Sequence, residues 1–193
     1  MDRPTRDARG DAYRGKRALD LVVAGTACMV FAPVVAGVAL AIWLADGGSP
    51  LFSQSCVGRR RQPFALHNFR SLHDQRITRV GQWLRATRID ELPQLVNVCR
   101  GEMSVVGPRP LTEQDLARLG WNDRQHEWRF AVKPGVTGLA QLLAGGQPRA
   151  SERLERFYVR RQSLTLDLQL IALSFAVNAL GKRRIRRWLR ATA

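Results

Sequence analysis

The stretch RIDELPQL at residues 88–95 places two adjacent carboxylates, Asp90 and Glu91, in a chain of 193 residues with a formal net charge of +15. Pro93 follows the pair, and proline is common in the first turn of a helix. If a helix begins near Asp90, its unpaired N–H groups and positive dipole end favour anions there, so we expect Asp90 to be ionised. Acidic residues are also ordinary helix caps, so the stretch alone leaves capping and catalysis open.

Arginines surround this carboxylate pair in the sequence, at Arg85, Arg88, Arg100 and Arg109. Guanidinium groups bind phosphate oxygens in pairs, and a carboxylate among phosphate-binding groups is a usual place for Mg²⁺. One carboxylate can hold the metal while its neighbour attacks phosphorus, because the cations offset the repulsion between two anions. The residue types therefore predict a phosphoryl-transfer site.

The composition limits the classes of partner. Lys and Arg number 31 against 16 Asp and Glu, which favours nucleic acid, a phosphorylated substrate or an acidic membrane surface. The three cysteines are far apart and form no CxxC motif, so neither a disulfide framework nor a zinc site is expected. The length predicts one compact domain with an appendage.

The appendage is an apolar segment at residues 21–45, which carries no charged residue. As a helix it is about 37 Å long, enough to cross a hydrocarbon core of about 30 Å. Pro33 lies in its middle and predicts a kink, and basic residues flank both of its ends. The positive-inside rule then places both flanks in the cytoplasm, which favours a re-entrant helix broken near Pro33. A kinked spanning helix is the alternative.

The pattern of the chain predicts a mainly α fold with a small β-hairpin, an α+β class. The hairpin is expected from the alternating segments at 51–58 and 62–71, and helices from residues 79–87, 90–101, 111–130, 150–162 and 164–180. The Gly- and Pro-rich residues 132–148 predict a loop with short elements at most. We predict a basic N-terminal segment (1–17), a membrane helix (18–45), a compact cytoplasmic catalytic domain with surface amphipathic helices (46–181) and a basic tail (182–193).

The tail, GKRRIRRWLR, interleaves basic and apolar residues, as in an amphipathic helix that lies on an anionic membrane. A solvated basic tail or a nucleic-acid arm is the alternative.

Four motifs together resemble the bacterial sugar transferases, the monotopic phosphoglycosyl transferases: KRALD at 16–20, FRS at 69–71, the stretch from RITRVG to GPRPL at 76–111, and VKPGVTGLAQ at 132–141. The resemblance implies a catalytic domain on the cytoplasmic face of the bacterial inner membrane. It also implies transfer of a sugar-1-phosphate from a UDP-sugar to a polyprenyl phosphate such as undecaprenyl phosphate, with release of UMP, as the first membrane step of a surface glycan pathway. The expected partners are these two substrates and anionic membrane lipids; nucleic acid is not expected, and an oligomer is compatible.

The resemblance also assigns roles to matching residues. Asp90 is expected to be the nucleophile that forms a covalent phosphosugar enzyme, and Glu91 the Mg²⁺ ligand, with Glu155 as a further candidate ligand. The expected substrate and phosphate contacts are Arg70, Arg88, Arg109, Lys133 and Gln141. The residues expected at the membrane entrance are Lys16, Arg17, Asp20 and Pro33. Their expected role is anchoring and packing, with the basic side chains reaching lipid phosphates.

The chain departs from the family pattern in four places. Asn68 stands where a lysine usually precedes FRS, LLAGGQPR follows GLAQ, Glu155 replaces an aspartate, and the span between FRS and RIT is short. These departures admit a weakened or inactive membrane-bound scaffold of the same fold, and a magnesium-dependent phosphatase that uses water is a third hypothesis. Because Asp90 and Glu91 are intact, we expect an active transferase.

Overall fold

The computed structural model describes residues 13–73, 76–77 and 79–180. Its helices are α1 (Lys16–Asp46), α2 (Arg79–Thr87), α3 (Gln94–Arg100), α4 (Glu113–Leu119), α5 (Leu139–Leu143), α6 (Pro148–Arg161) and α7 (Leu164–Leu180). Its strands are β1 (Leu51–Val57), β2 (Pro63–Phe69), β3 (Leu72–His73), β4 (Arg76–Ile77), β5 (Ser104–Val106) and β6 (Gly135–Thr137). Three 3-10 segments lie at Arg59–Arg61, Ile89–Glu91 and Arg124–Ala131. The predicted α+β class is confirmed.

The predicted hairpin is also confirmed. Strands β1 and β2 pair antiparallel, from Leu51 opposite Phe69 to Val57 opposite Pro63. The 3-10 turn between them contains Arg60 and Arg61 with φ of 54° and 58°, in the left-handed region that arginine rarely adopts.

A parallel pair, β5 with β6, was not predicted. It aligns Ser104 with Gly135 and Val106 with Thr137, and so joins the VGPRP turn to the Gly- and Pro-rich region. A Cβ atom at Gly135 would lie 2.0 Å from the backbone nitrogen of Gly107, so this close approach requires glycine. Strand β6 is only three residues long, which explains why the sequence of residues 132–148 predicts a loop.

Both halves of α1 pack against the same domain. Ala24, in the first half, is fully buried among the side chains of the main core. Val38 and Ile42, in the second half, pack against Phe69 and Leu84. Residues 29–34, between them, are exposed. A helix that crossed a bilayer would hold one end far from a domain on the other side, so this packing favours a helix that returns to the face it entered.

The helix α1 is long and apolar enough, by length and composition, to cross a membrane. It continues as one helix through Pro33, so the predicted break does not interrupt the helix. Pro33 has no backbone N–H, so one hydrogen bond of the helix is missing there.

The C-terminal half of the domain follows the prediction with one change. Helices α6 and α7 are confirmed, whereas the helix predicted for 111–130 is divided. Its first part, α4, ends at Gly120 with φ of 69°, and the chain resumes as the 3-10 segment Arg124–Ala131. The predicted tail at 182–193 and the first residues of the predicted segment 1–17 lie outside the described residues.

Candidate active site

The two carboxylates lie ahead of α3 rather than in its first turn, so this part of the prediction is wrong. Asp90 and Glu91 belong to the 3-10 turn Ile89–Glu91, and α3 begins at Gln94 after Pro93. An α-helix that began at Ile89 would need a hydrogen bond from the N–H of residue 93 to the Ile89 carbonyl, and proline has no N–H. The chain winds instead through shorter bonds, such as Leu92 N–H to Ile89 C=O at 3.1 Å.

The turn exposes the carboxylates to a cavity of about 660 Å³, a size typical of small-molecule sites. The lining residues come from the hairpin, the α2–α3 connection and the β5 and β6 ends: Phe52, Gln54, Leu66, Asn68, Phe69, Arg70, Ser71, Arg85, Arg88, Asp90, Glu91, Gln94, Arg109, Pro110, Val136 and Gln141. The structure therefore brings together six of the eight residues that were expected around the substrate and the metal.

The other two, Lys133 and Glu155, lie elsewhere. Lys133 lines a separate cavity of about 400 Å³ beside the hairpin turn, together with Arg59 and Arg60. Glu155 is 3% exposed and accepts a 2.8 Å hydrogen bond from Nε of Arg129. Neither residue lines the larger cavity, so the predictions of a phosphate contact for Lys133 and a metal ligand for Glu155 are not supported.

Burial raises the pKa of Asp90, although Arg85, Arg88 and a hydrogen bond from its own backbone N–H each act to lower it. The direction is opposite to that expected from a helix dipole, because the carboxyl lies before the helix and is partly removed from water. A carboxylate with a raised pKa is a stronger base and a better nucleophile once it is ionised.

Arg88 joins α2 to this turn with an unusual backbone. Its φ of 59° lies in the left-handed region, which costs a non-glycine residue about 1–3 kcal/mol. Strain of this kind persists where the surrounding structure holds it, and it often occurs at functional sites. Here it reverses the chain so that Asp90 and the Arg88 side chain reach the same cavity.

Two further arginines are held at the cavity from the side of the hairpin. Arg70 follows β2 directly and donates to the Gly47 carbonyl, while its Nε is buried with no hydrogen-bond partner among the described residues. Arg85 donates from Nε to Oγ of Ser71 at 2.8 Å. Ser71 and Arg85 are additions to the substrate contacts predicted from the sequence. Arg85 is one of the arginines that surround the carboxylates in the sequence.

A group of side-chain amides also lines the cavity, of which Gln54 and Gln94 were not predicted. Gln94 is 6% exposed and donates from Nε2 to Oδ1 of Asn68 at 2.8 Å, and Gln54 lies nearby on β1. The sequence does contain a signal for these residues, because side chains along a strand alternate between its two faces. Residues 52 and 54 share one face of β1, and residues 66 and 68 share one face of β2. The same face carries Phe52 and Leu66.

The membrane-entrance residues point into the protein. Lys16 is 6% exposed, donates from Nζ to the Val106 carbonyl at 3.1 Å, and forms an ion pair with Asp167. Asp20 accepts from Oγ of Ser104 at 2.8 Å. Arg17 donates to the carbonyls of Val98 and Cys99 at 2.6 and 2.7 Å.

The prediction that these basic side chains reach lipid phosphates is therefore wrong. A buried charge needs partners inside the protein, and Asp167 and the carbonyl groups supply them. The packing role expected of Lys16, Arg17 and Asp20 agrees with the structure, because their contacts fix α1 to the domain. Pro33, the fourth residue of the motif, lies in the exposed middle of α1.

An apolar anchor beside a cavity of paired carboxylates and arginines is the arrangement expected of a membrane-associated protein that handles phosphates. The bacterial sugar transferase family matches residues 12–180, and the chain belongs to this family.

Several relatives have established names. The chain is 38% identical over 177 residues to UDP-glucose:undecaprenyl-phosphate glucose-1-phosphate transferase of Caulobacter vibrioides, covering 81% of this chain and 66% of the relative. It is 37% identical over 185 residues to undecaprenyl-phosphate glucose phosphotransferase of Komagataeibacter xylinus, covering 82% and 35%. It is 33% identical over 175 residues to UDP-N-acetylgalactosamine-undecaprenyl-phosphate N-acetylgalactosaminephosphotransferase of Aeromonas hydrophila, covering 81% and 41%. The chain thus spans between about one third and two thirds of the length of these relatives.

Proposed function

We propose that this chain transfers a sugar-1-phosphate from a UDP-sugar to undecaprenyl phosphate and releases UMP. The observation that carries the proposal is the cavity in which Asp90 and Glu91 meet four arginines, Arg70, Arg85, Arg88 and Arg109. The names of the relatives, which are transferases of this kind, support the reaction type.

The cavity is lined by two chemically different groups of side chains that match the two parts of a nucleotide sugar. The arginines suit the diphosphate, because guanidinium groups bind phosphate oxygens in pairs. The amides of Gln54, Asn68 and Gln94 suit neutral hydroxyl and carbonyl groups, since an amide both donates and accepts. We assign the diphosphate to the arginines and the sugar or uracil to the amides.

The carboxylates fit Mg²⁺ as a cofactor. Magnesium is commonly held by one or two carboxylates together with substrate phosphates, and both Glu91 and Asp90 line the cavity. Glu91 would hold the ion, which when bound supplies positive charge beside the diphosphate. The described residues contain no group of three or more His, Cys, Asp or Glu side chains that would form a complete protein cage.

In the first step, an Asp90 carboxylate oxygen attacks the β-phosphorus of the UDP-sugar. A bond forms between that oxygen and phosphorus, the bond to the bridging oxygen breaks, and UMP leaves with the bonding electrons. Arg85 and Arg88 lower the repulsion between the carboxylate and the phosphate, and the partial burial that raises the pKa of Asp90 also makes it more nucleophilic.

In the second step, a phosphate oxygen of undecaprenyl phosphate attacks the phosphosugar on Asp90. The new phosphorus–oxygen bond completes the lipid diphosphate sugar, and the Asp90 carboxylate leaves in its original form. The second half of α1 packs against Phe69, which itself lines the cavity, so a lipid phosphate beside that half of the helix would lie close to the site.

We place the protein on the cytoplasmic face of the inner membrane as a monotopic enzyme. Support comes from the packing of both halves of α1 against one domain and from the basic residues on both flanks of the apolar segment. Reporter tags at the two ends of the chain should both give cytoplasmic signals. A tag at the N-terminus that reports the outside would contradict this topology.

The reaction is tested by UMP release over a panel of UDP-sugars, with Mg²⁺ and with or without undecaprenyl phosphate. We expect steady turnover with one sugar only when the lipid phosphate is present. Turnover that proceeds equally well without the lipid would identify a phosphatase with water as acceptor. A product lipid diphosphate sugar would be the starting unit of a surface glycan.

A further inference from the structure

A buried ion pair lies directly behind the cavity. Arg129, in the 3-10 segment Arg124–Ala131, and Glu155, in α6, are each 3% exposed. The Arg129 Nε and the Glu155 Oε2 are 2.8 Å apart, and Arg129 Nη2 also lies 3.4 Å from Oε1. Neither side chain lines the cavity, so the pair does not itself contact a substrate.

The pair binds both polar groups of a single backbone residue, Arg109. The Arg109 N–H donates to Oε1 of Glu155 at 3.1 Å, and the Arg109 carbonyl accepts from Nη2 of Arg129. Arg109 stands between Pro108 and Pro110, which have no N–H, so its N–H is the sole backbone donor of that tripeptide.

We propose that Arg129 and Glu155 are positioning residues that hold the Arg109 guanidinium in place for the substrate diphosphate. The inference rests on the proposed function to the extent that the site takes a diphosphate. It assigns to Glu155 a structural contact with Arg109 in place of a metal, and it gives a role to Arg129, which the sequence did not single out.

The charges explain why two residues are needed. Glu155 alone would be an unpaired buried anion close to Arg109 and would compete with phosphate for the Arg109 side chain. Arg129 neutralises it, and the planar guanidinium reaches both the carboxylate and the Arg109 carbonyl. The pair therefore fixes the backbone while the positive charge of Arg109 stays available to the cavity.

The test is a double-mutant cycle on binding of UDP and of inorganic pyrophosphate to the full chain in detergent, by calorimetry with Mg²⁺. The variants are Arg129→Lys, Arg109→Ala and the two combined. Lysine keeps the charge but lacks the fork that joins Glu155 to the carbonyl. We expect Arg129→Lys to weaken binding about tenfold when Arg109 is present and less than about twofold in the Arg109→Ala background, as for residues in one network.

Matched controls come from the same two elements. Arg124→Lys changes an exposed arginine of the same 3-10 segment, and Glu152→Gln changes a partly exposed glutamate of α6. Both should bind UDP as the unchanged protein does. Glu155→Gln should lower the Tm, because Arg129 then lacks its counter-ion. It should nevertheless bind UDP more tightly than Glu155→Ala, because its amide oxygen still accepts from the Arg109 N–H.

The outcomes separate this inference from the proposed function. Equal weakening by Arg129→Lys in both backgrounds, or a lower Tm with unchanged binding, would show a purely structural pair and overturn the inference. Failure of UDP and of pyrophosphate to bind the unchanged protein would overturn it as well. A coupled cycle without UMP release from any UDP-sugar would support the positioning role and remove the proposed reaction.

Discussion

The cavity and the base of α1 contain the same kinds of charged residue in two different states. At the base of α1, where the helix begins, Lys16 and Asp167 are nearly inaccessible and pair with each other. In the cavity, Asp90 and Arg70 are partly exposed and line the open space. Charged side chains that pair with each other inside the protein hold its elements together. Charged side chains that line a cavity can instead bind a ligand.

The largest effect is expected from Asp90→Asn, which removes the nucleophile and keeps the shape. We expect UMP release to fall at least about 10³-fold, since an amide does not form the covalent intermediate. The measurement is the UMP-release rate with the best UDP-sugar and undecaprenyl phosphate. Asp115→Asn, in the capping box of α4, is the control and should leave the rate unchanged. A rate within about tenfold of the unchanged protein would place the chemistry elsewhere.

The next effect concerns stability at the base of α1. Lys16→Met leaves Asp167 buried without its cation, which should cost about 3–5 kcal/mol of unfolding free energy. Adding Asp167→Leu should restore most of that loss, because Tyr158 can still donate to the Val106 carbonyl at 2.9 Å. Chemical denaturation in detergent measures both.

The matched control is Arg118→Met, which breaks an ion pair with Asp115 whose arginine side chain is 79% exposed. Such a pair contributes about 1 kcal/mol or less. If Lys16→Met were as mild as this control, the contrast between the base of α1 and the cavity would not hold.

A pH series sharpens the comparison at Asp90. Burial raises the pKa of Asp90 above the ordinary carboxyl value of about 3.9, and only the ionised form attacks phosphorus. We expect the kcat/KM for the UDP-sugar to fall with decreasing pH in a limb that lies above pH 4. A flat profile down to about pH 4 would contradict a raised pKa.

The same shift predicts the sign of a stability change. Because folding disfavours the ionised form, Asp90 lowers stability above its unfolded-state pKa, and the effect vanishes below it. Asp90→Asn should therefore raise the Tm slightly at pH 7. This difference should shrink as the pH approaches about 4, and an unchanged difference over that range would argue against burial as the cause.

The smallest effect is expected from Asn68→Lys, which adds a cation at the cavity where the family resemblance implies a lysine. It also removes the oxygen that accepts from Gln94. We expect a change of about two- to fivefold in the KM for the UDP-sugar, with little change in kcat. Gln54→Lys, on the facing strand, is the comparison, since it adds the same charge without altering the contact between Asn68 and Gln94.

Local patterns predicted much of the fold and part of the site. Alternation gave the hairpin, apolar periodicity gave α6 and α7, and glycine marked the end of α3 at Gly101. The six cavity residues were assigned from the family resemblance, and Arg109 and Gln141 lie after β5 and β6, whose pairing the local patterns did not predict.

The errors came from long-range packing. The sequence could not show that Glu155 pairs with Arg129, that Lys133 turns to the smaller cavity, or that Lys16 is buried against Asp167. Each of these contacts depends on how distant elements pack against one another. The 3-10 turn at Asp90 has a different cause, because Pro93 has no N–H to continue an α-helix. The sequence next to a polar residue does not indicate which distant residue it will pair with.

The most direct test of the central claim is a rapid-quench experiment with the UDP-sugar and Mg²⁺ in the absence of undecaprenyl phosphate. If Asp90 forms a covalent phosphosugar, UMP should appear in a burst of about one equivalent per enzyme, and the sugar phosphate should remain on a peptide that contains Asp90. Addition of the lipid phosphate should then discharge it. Release of UMP only after the lipid is added, with no labelled peptide, would contradict the account.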